Sequence, residues 1–228
     1  LVALIALAVY PLAILAARID IWHFRNSFLL FVLAALVGFA VLVIAILKLA
    51  KAGEGEARPL AITIAATALP LAILGNSILK AQNYPFIHDI STDTQTPPIL
   101  AAAAKDRVEG DHDVAYEGLE IAELQKQGYP ELTSLNMSQT PDQVFKLAHG
   151  IVVQEGWQVL AENAETQPYT IEAVDSSLLF GFKDDVVIRI QATENGSVVD
   201  MRSMSRQGKS DLGVNAKRIR LFFEQLVR

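Results

Sequence analysis

The stretch DVVIRIQATENGSVVDMRSMS, residues 185–205, decides the fold of the polar half of this chain. Its Asn195-Gly196 pair is the strongest short hairpin signal, because a tight two-residue reversal needs positive φ at its central positions. Before the turn, Val186, Ile188 and Ile190 alternate with Val187, Arg189 and Gln191. After it, Val199, Met201 and Ser203 alternate with Val198, Asp200 and Arg202. Successive strand side chains point to opposite faces, so the hairpin has one apolar and one charged face. Two more strands are predicted upstream, over residues 157–161 and 169–174, and Glu172 joins Arg189, Asp200 and Arg202 on the charged side. Such a face is open to water, tied into a cross-strand ion-pair ladder, or the floor of a ligand pocket.

Helices flank these strands. Thr140-Pro141 opens one with a capping threonine, a proline in the first turn and Asp142 at the positive end of the dipole. Val144, Leu147, Ala148, Ile151 and Val152 then recur at helical spacing, and Gly156 stops the run. A second helix is predicted over residues 114–126, where Leu119, Ala122 and Leu124 sit among glutamates. Ser210 or Asp211 caps a third, reaching Leu226 with Ile219, Phe222 and Phe223 facing inward. The expected head is a small α+β domain, an antiparallel sheet packed with helices, spanning residues 113–228. Residues 81–112 read as an extended tether, since Pro85 and Pro97-Pro98 disfavour helix.

The first 80 residues are of another kind. Apolar runs fill residues 1–17, 28–47 and 60–79, and about 20 apolar residues cross the hydrocarbon core as a helix. Alone, the first run matches the apolar stretch of a signal peptide. The two runs behind it and the lack of a small-residue cleavage site favour a retained helix, giving a three-helix transmembrane anchor over residues 1–80. Ala34 and Gly38 form a small-residue helix face suited to close packing. Trp22, His23 and Phe24, with Tyr84, Pro85 and Phe86, form two aromatic clusters of interfacial character. Loop charges tie, with Arg18, Arg25 and Lys80 against Lys48, Lys51 and Arg58, so they do not set orientation.

Charge divides the same way. Residues 1–80 hold six basic and three acidic side chains; residues 81–228 hold 13 and 22. An acidic head argues against general nucleic-acid binding, which depends on a basic surface. The chain has no cysteine, which removes disulfides, thiol catalysis and cysteine-ligated metals. His88, Asp89 and Asp93 lack the third motif that would complete a metal or acid–base cluster. Asp184-Asp185 is a poor catalytic pair, because neighbours in a strand face apart. No catalytic residue, metal or cofactor is assigned.

Residues 202–220 stand out, with six basic side chains and one acid in an acidic domain. Gly208 before a helix start, with Arg206, Lys209 and Ser210 beside it, is a place that can hold an anion. The candidate ligand set is Arg189, Arg202, Arg206, Lys209 and Ser210. Gly208, Asp211, Gly213 and Asn215 shape the turn. The alternative is a purely structural turn in which Asp211 pairs with Arg206 or Arg218.

The head resembles the family known as domain of unknown function 1499. The resemblance rests on residues 88–93 (HDISTD), Pro97-Pro98, Tyr129-Pro130, Gly156-Trp157, Glu172-Ala173, Gly181-Phe182, Asp184-Asp185 and residues 202–215. It implies a small α+β domain and transfers no activity. Exported relatives, several with lipoprotein-type signals, imply an extracytoplasmic head. The expected location is the bacterial inner membrane, with the head in the periplasm. The expected role is a non-enzymatic accessory subunit with the lipid bilayer and a membrane protein as partners. The alternatives are a module binding a small anionic or lipid ligand, and, behind it, a hydrolase using Asp184, Asp185, Asp211 or His88.

Overall fold

The computed structural model describes residues 2–19, 24–53, 55–178 and 180–228. The chain forms two compact units, Leu1–Asn83 with Ser177–Gly181, and Tyr84–Ser176 with Phe182–Arg228.

The first unit contains α1 (Val2–Arg18), α2 (Phe24–Leu49) and α3 (Ala57–Ala81). Among the described residues, two segments are long and apolar enough to cross a membrane, Asn26–Leu49 and Ala57–Asn76; Leu7–Arg18 is apolar but shorter. Pro11 and Pro70 lie inside α1 and α3, and both helices continue through them. Thr67 Oγ1 donates to the Thr63 carbonyl at 2.8 Å, a local bond close to the interrupted ladder. Ala34 is buried with Tyr10 and Ala35, and a Cβ on Gly38 would meet the Tyr10 hydroxyl at 3.3 Å. The small-residue face of α2 is therefore occupied by α1. Trp22 and His23 lie outside the described residues.

The second unit is built on a sheet in which β1 (Asp89–Ser91), β6 (Gly196–Ser205), β5 (Lys183–Thr193), β4 (Tyr169–Ser176) and β3 (Gln158–Asn163) follow in that spatial order. A further short strand, β2 (Leu135–Met137), also pairs with β6. All pairings are antiparallel. β1 opposes Arg202–Met204 and β2 opposes Ser197–Val199, so the two short strands lie end to end along one edge of β6. The expected hairpin forms, with Arg189 opposite Asp200, but its turn is shifted by one residue: Thr193 pairs with Gly196, so Glu194 and Asn195 are the central pair and Gly196 opens β6.

The register divides the sheet as its alternation requires. Val186, Ile188 and Ile190 join Val199, Met201, Ile171 and Ala173 in the main core, under α6 (Pro141–Gln154) and α7 (Val214–Leu226). Val144, Ala148, Ile151 and Val152 from α6 meet Ile219, Phe222 and Leu226 from α7 there. Trp157 stacks on Phe222 with centroids 6.0 Å apart. The charged face is covered by the segment from Asp93 through α4 (Ala101–Lys105) to Tyr116, which precedes α5 (Leu119–Gly128). Leu100, Ala103, Val187 and Met204 form a small apolar cluster on that side.

Two expectations change. The segment expected as a tether belongs to the head: Ile87, Ile90 and Leu100 are fully buried, and β1 adds a strand to the sheet. Pro85 and Pro97-Pro98 keep the stretch before α4 out of helix but not from burial, and α4 itself lies within the segment. The helix expected from Val114 begins at Leu119, because Gly118 takes a positive φ of 86° before it.

Candidate functional site

β5 and β6 place Arg189, Arg202 and, just past the end of β6, Arg206, and α7 adds Arg218; each is held by carboxylates of the same chain. Arg202 is 3% exposed and donates through Nε and Nη2 to both oxygens of Asp89, at 2.9 and 2.7 Å. Its other donors reach the carbonyls of Pro98 and Val114. The guanidinium also lies over the Tyr116 ring, 5.5 Å from its centroid. Arg206 grips Asp185 through Nε and Nη2, with Nη2 at 2.7 Å, and bonds the carboxylate and the carbonyl of Asp106. Arg189 bridges Asp93 and Asp200, each at 2.8 Å, and donates to the Thr96 carbonyl. Arg218 bonds Asp175 and Asp184 from the other side of the sheet, with Ser203 and Asn215.

Paired guanidinium and carboxylate groups in fork geometry form strong, oriented bonds. Once buried, they also make the removal of either partner costly. The charged face is thus an ion-pair layer under a cover of chain, rather than a surface open to water. Glu172 shares it and accepts from the amides of Ala102 and Ala103, which holds the start of α4 on the sheet.

The basic turn separates into buried and exposed members. Arg206 is buried, whereas Gly208 and Lys209 are exposed and Ser210 is half-buried. Ser210 Oγ accepts from the Leu212 amide. Asp211 pairs with neither Arg206 nor Arg218. Its carboxylate accepts from the amides of Gly213 and Asn215, at 2.9 and 2.8 Å, and so fixes the entry to α7. Burial pushes the Asp211 carboxyl up, against the pull of those amides. Gly213 takes a φ of 79°, and a Cβ there would lie 2.5 Å from the Tyr84 ring. Asn215 is fully buried, bonding Ser203, Ser205 and the His88 carbonyl.

The acid–base candidates are dispersed. Asp89 faces Arg202, Asp93 faces Arg189, and His88 stacks on His112 with ring centroids 4.0 Å apart. Burial, aided by His112, pushes the His88 imidazole below its usual value, against the pull of Glu117 and Asp89. Burial also drives the Tyr116 phenol up to about 12. Asp184 and Asp185 face apart, the first to Arg218 and the second to Arg206 and Arg107. Among the described residues, no group of three His, Asp or Glu side chains is placed to hold a metal ion. A shallow groove of about 160 Å³ lies along α7, lined by Trp157, Lys217, Arg218 and Phe222 among others. Arg189, Arg202 and Arg206 are not part of its lining.

The sequence reading missed the partners. Asp89 and Asp106 lie 113 and 100 positions from their arginines, so nothing in local spacing announces them. Arg107, which meets Asp185 at 2.9 Å, was equally hidden.

No curated protein and no solved structure matches the chain. A family model described as "Protein of unknown function (DUF1499)" matches residues 89–226, which takes in β1, all five other strands and the whole ion-pair layer. The chain belongs to the DUF1499 family of proteins of unknown function.

Proposed function

We propose that this chain is a non-enzymatic accessory subunit of a membrane complex, anchored by its three N-terminal helices and carrying an extracytoplasmic head. In bacteria this is the inner membrane with the head in the periplasm, a side favoured by the exported character of similar proteins. The observation that carries the reading is the internal use of the sheet's charge. Arg189, Arg202, Arg206 and Arg218 each bind carboxylates of their own chain. A head whose polar groups are engaged in this way is suited to hold shape and present a surface. The alternative, an anionic or lipid ligand at the basic turn, rests on Lys209 and Ser210, the members of the original set that remain at or near the surface.

The test is gentle purification from native membranes through a C-terminal tag, with mass spectrometry of the proteins and lipids that elute. A stoichiometric membrane-protein partner is the expected outcome. A lone chain carrying one defined lipid or anion would overturn the accessory role and favour the alternative.

A further inference from the structure

The turn between β4 and β5 reads Ser177-Leu-Leu-Phe-Gly181, an unusual composition for a reversal. Turns favour Gly, Asn, Asp, Ser and Pro, whose backbones and side chains satisfy a reversing chain in water. This one has three large apolar residues in succession in its sequence. Ser177–Gly181 packs as part of the helical unit. Phe180 is 9% exposed, with its ring edge-on to Phe28 at 6.0 Å and to Phe31 at 5.4 Å. Phe31 in turn meets Tyr10 at 4.9 Å. Arg18, in the last turn of α1, donates to the carbonyls of Ser177 and Leu178. Beside these contacts Leu178 is 87% exposed.

We infer that this tip is a membrane-embedded element, with Leu178 in contact with lipid at the level where α1 ends and α2 begins. The inference rests on the anchored reading and adds to it a second point of membrane contact, the turn between β4 and β5. Two features identify lipid as the occupant. An exposed leucine forgoes its burial energy in water and recovers it in hydrocarbon. Where water is scarce, each backbone carbonyl needs a donor from the protein. Arg18 provides that donor at two carbonyls of the turn, and its long stem suits a charged head held near an interface. The flanking surface is also lipid-like: Phe28 and Leu29 are 44% and 58% exposed.

The chain has no cysteine, so single labels are unambiguous. Leu178→Cys, Leu36→Cys on α2 and Leu119→Cys on α5 are each labelled with a polarity-sensitive fluorophore in the full-length protein. The purified proteins are reconstituted into vesicles of phosphatidylcholine and phosphatidylglycerol. Lipids bearing a spin label on the acyl chain then report contact with hydrocarbon, and iodide reports contact with water. The expected result is blue-shifted emission at residues 178 and 36, lost on adding spin-labelled lipid and resistant to iodide, with residue 119 behaving oppositely. Iodide quenching at 178 alongside lipid quenching at 36 would overturn the embedded tip and leave the anchor standing. Protection at 178 from both quenchers would also overturn it, since protein would then cover the leucine. Lipid-insensitive labels at both 178 and 36 would remove the anchor and the inference together.

Discussion

Asp89 is 1% exposed and meets Arg202 through both of its oxygens. Such a pair adds little net stability over an apolar substitute, but breaking it strands a charge in a dry site. Asp89→Ala leaves the Arg202 guanidinium without its counterion and should cost about 3–5 kcal/mol in the chemical denaturation of the head. The double replacement Asp89→Leu with Arg202→Met should recover most of that loss, because no buried charge remains. A single variant that unfolds at the wild-type midpoint would remove the pair from the structural account. This layer was half legible in the sequence. Alternation placed Arg189, Asp200 and Arg202 on one face, and their register bears this out. Which acid meets Arg202 depends on a segment 113 residues away, and no local pattern encodes that closure.

The elements most legible in sequence are those whose signals are local. The β5–β6 hairpin follows from Asn195-Gly196 and strict alternation, and α6 from its Thr140-Pro141 start. The three-residue strands β1 and β2 lay hidden because they carry no periodicity of their own; they exist by pairing with β6. Gly196 links the legible and the hidden elements. Its φ is 144°, and a Cβ there would sit 2.1 Å from the Met137 carbonyl oxygen at the end of β2. The glycine therefore serves the approach of β2 as well as the turn. Gly196→Ala must push β2 from the edge of β6 and strain the backbone, a loss of about 3 kcal/mol or more. Urea denaturation measures it, and hydrogen exchange at residues 135–137 should rise with it. An alanine variant as stable as wild type, with β2 amides still protected, would show that β2 does not depend on that contact.

At the scale of the molecule, composition changes near residue 80, and the first compact unit comprises Leu1–Asn83 together with Ser177–Gly181. What sequence did not disclose is the excursion of Ser177–Gly181, which belongs to the helical unit although strands of the sheet flank it. Length and composition distinguish a span, but a five-residue apolar turn is too short to register on either measure. The head has its own core, from Ile87 to Leu226, which among the described residues includes none of the first 83. A fragment of residues 84–228 should consequently fold, giving a cooperative thermal transition and a mixed helix–strand circular dichroism spectrum. In that fragment the tip loses Phe28, Phe31 and Arg18 and faces solvent. Its apolar side chains should then drive association with anionic vesicles in flotation assays. Leu178→Asn with Phe180→Asn should abolish that association and leave the melting temperature nearly unchanged, since neither residue belongs to the head's core. If the double variant floats with vesicles as well as the parent fragment does, another surface of the head carries the membrane affinity. If instead it loses its cooperative transition, the tip is part of what folds the sheet.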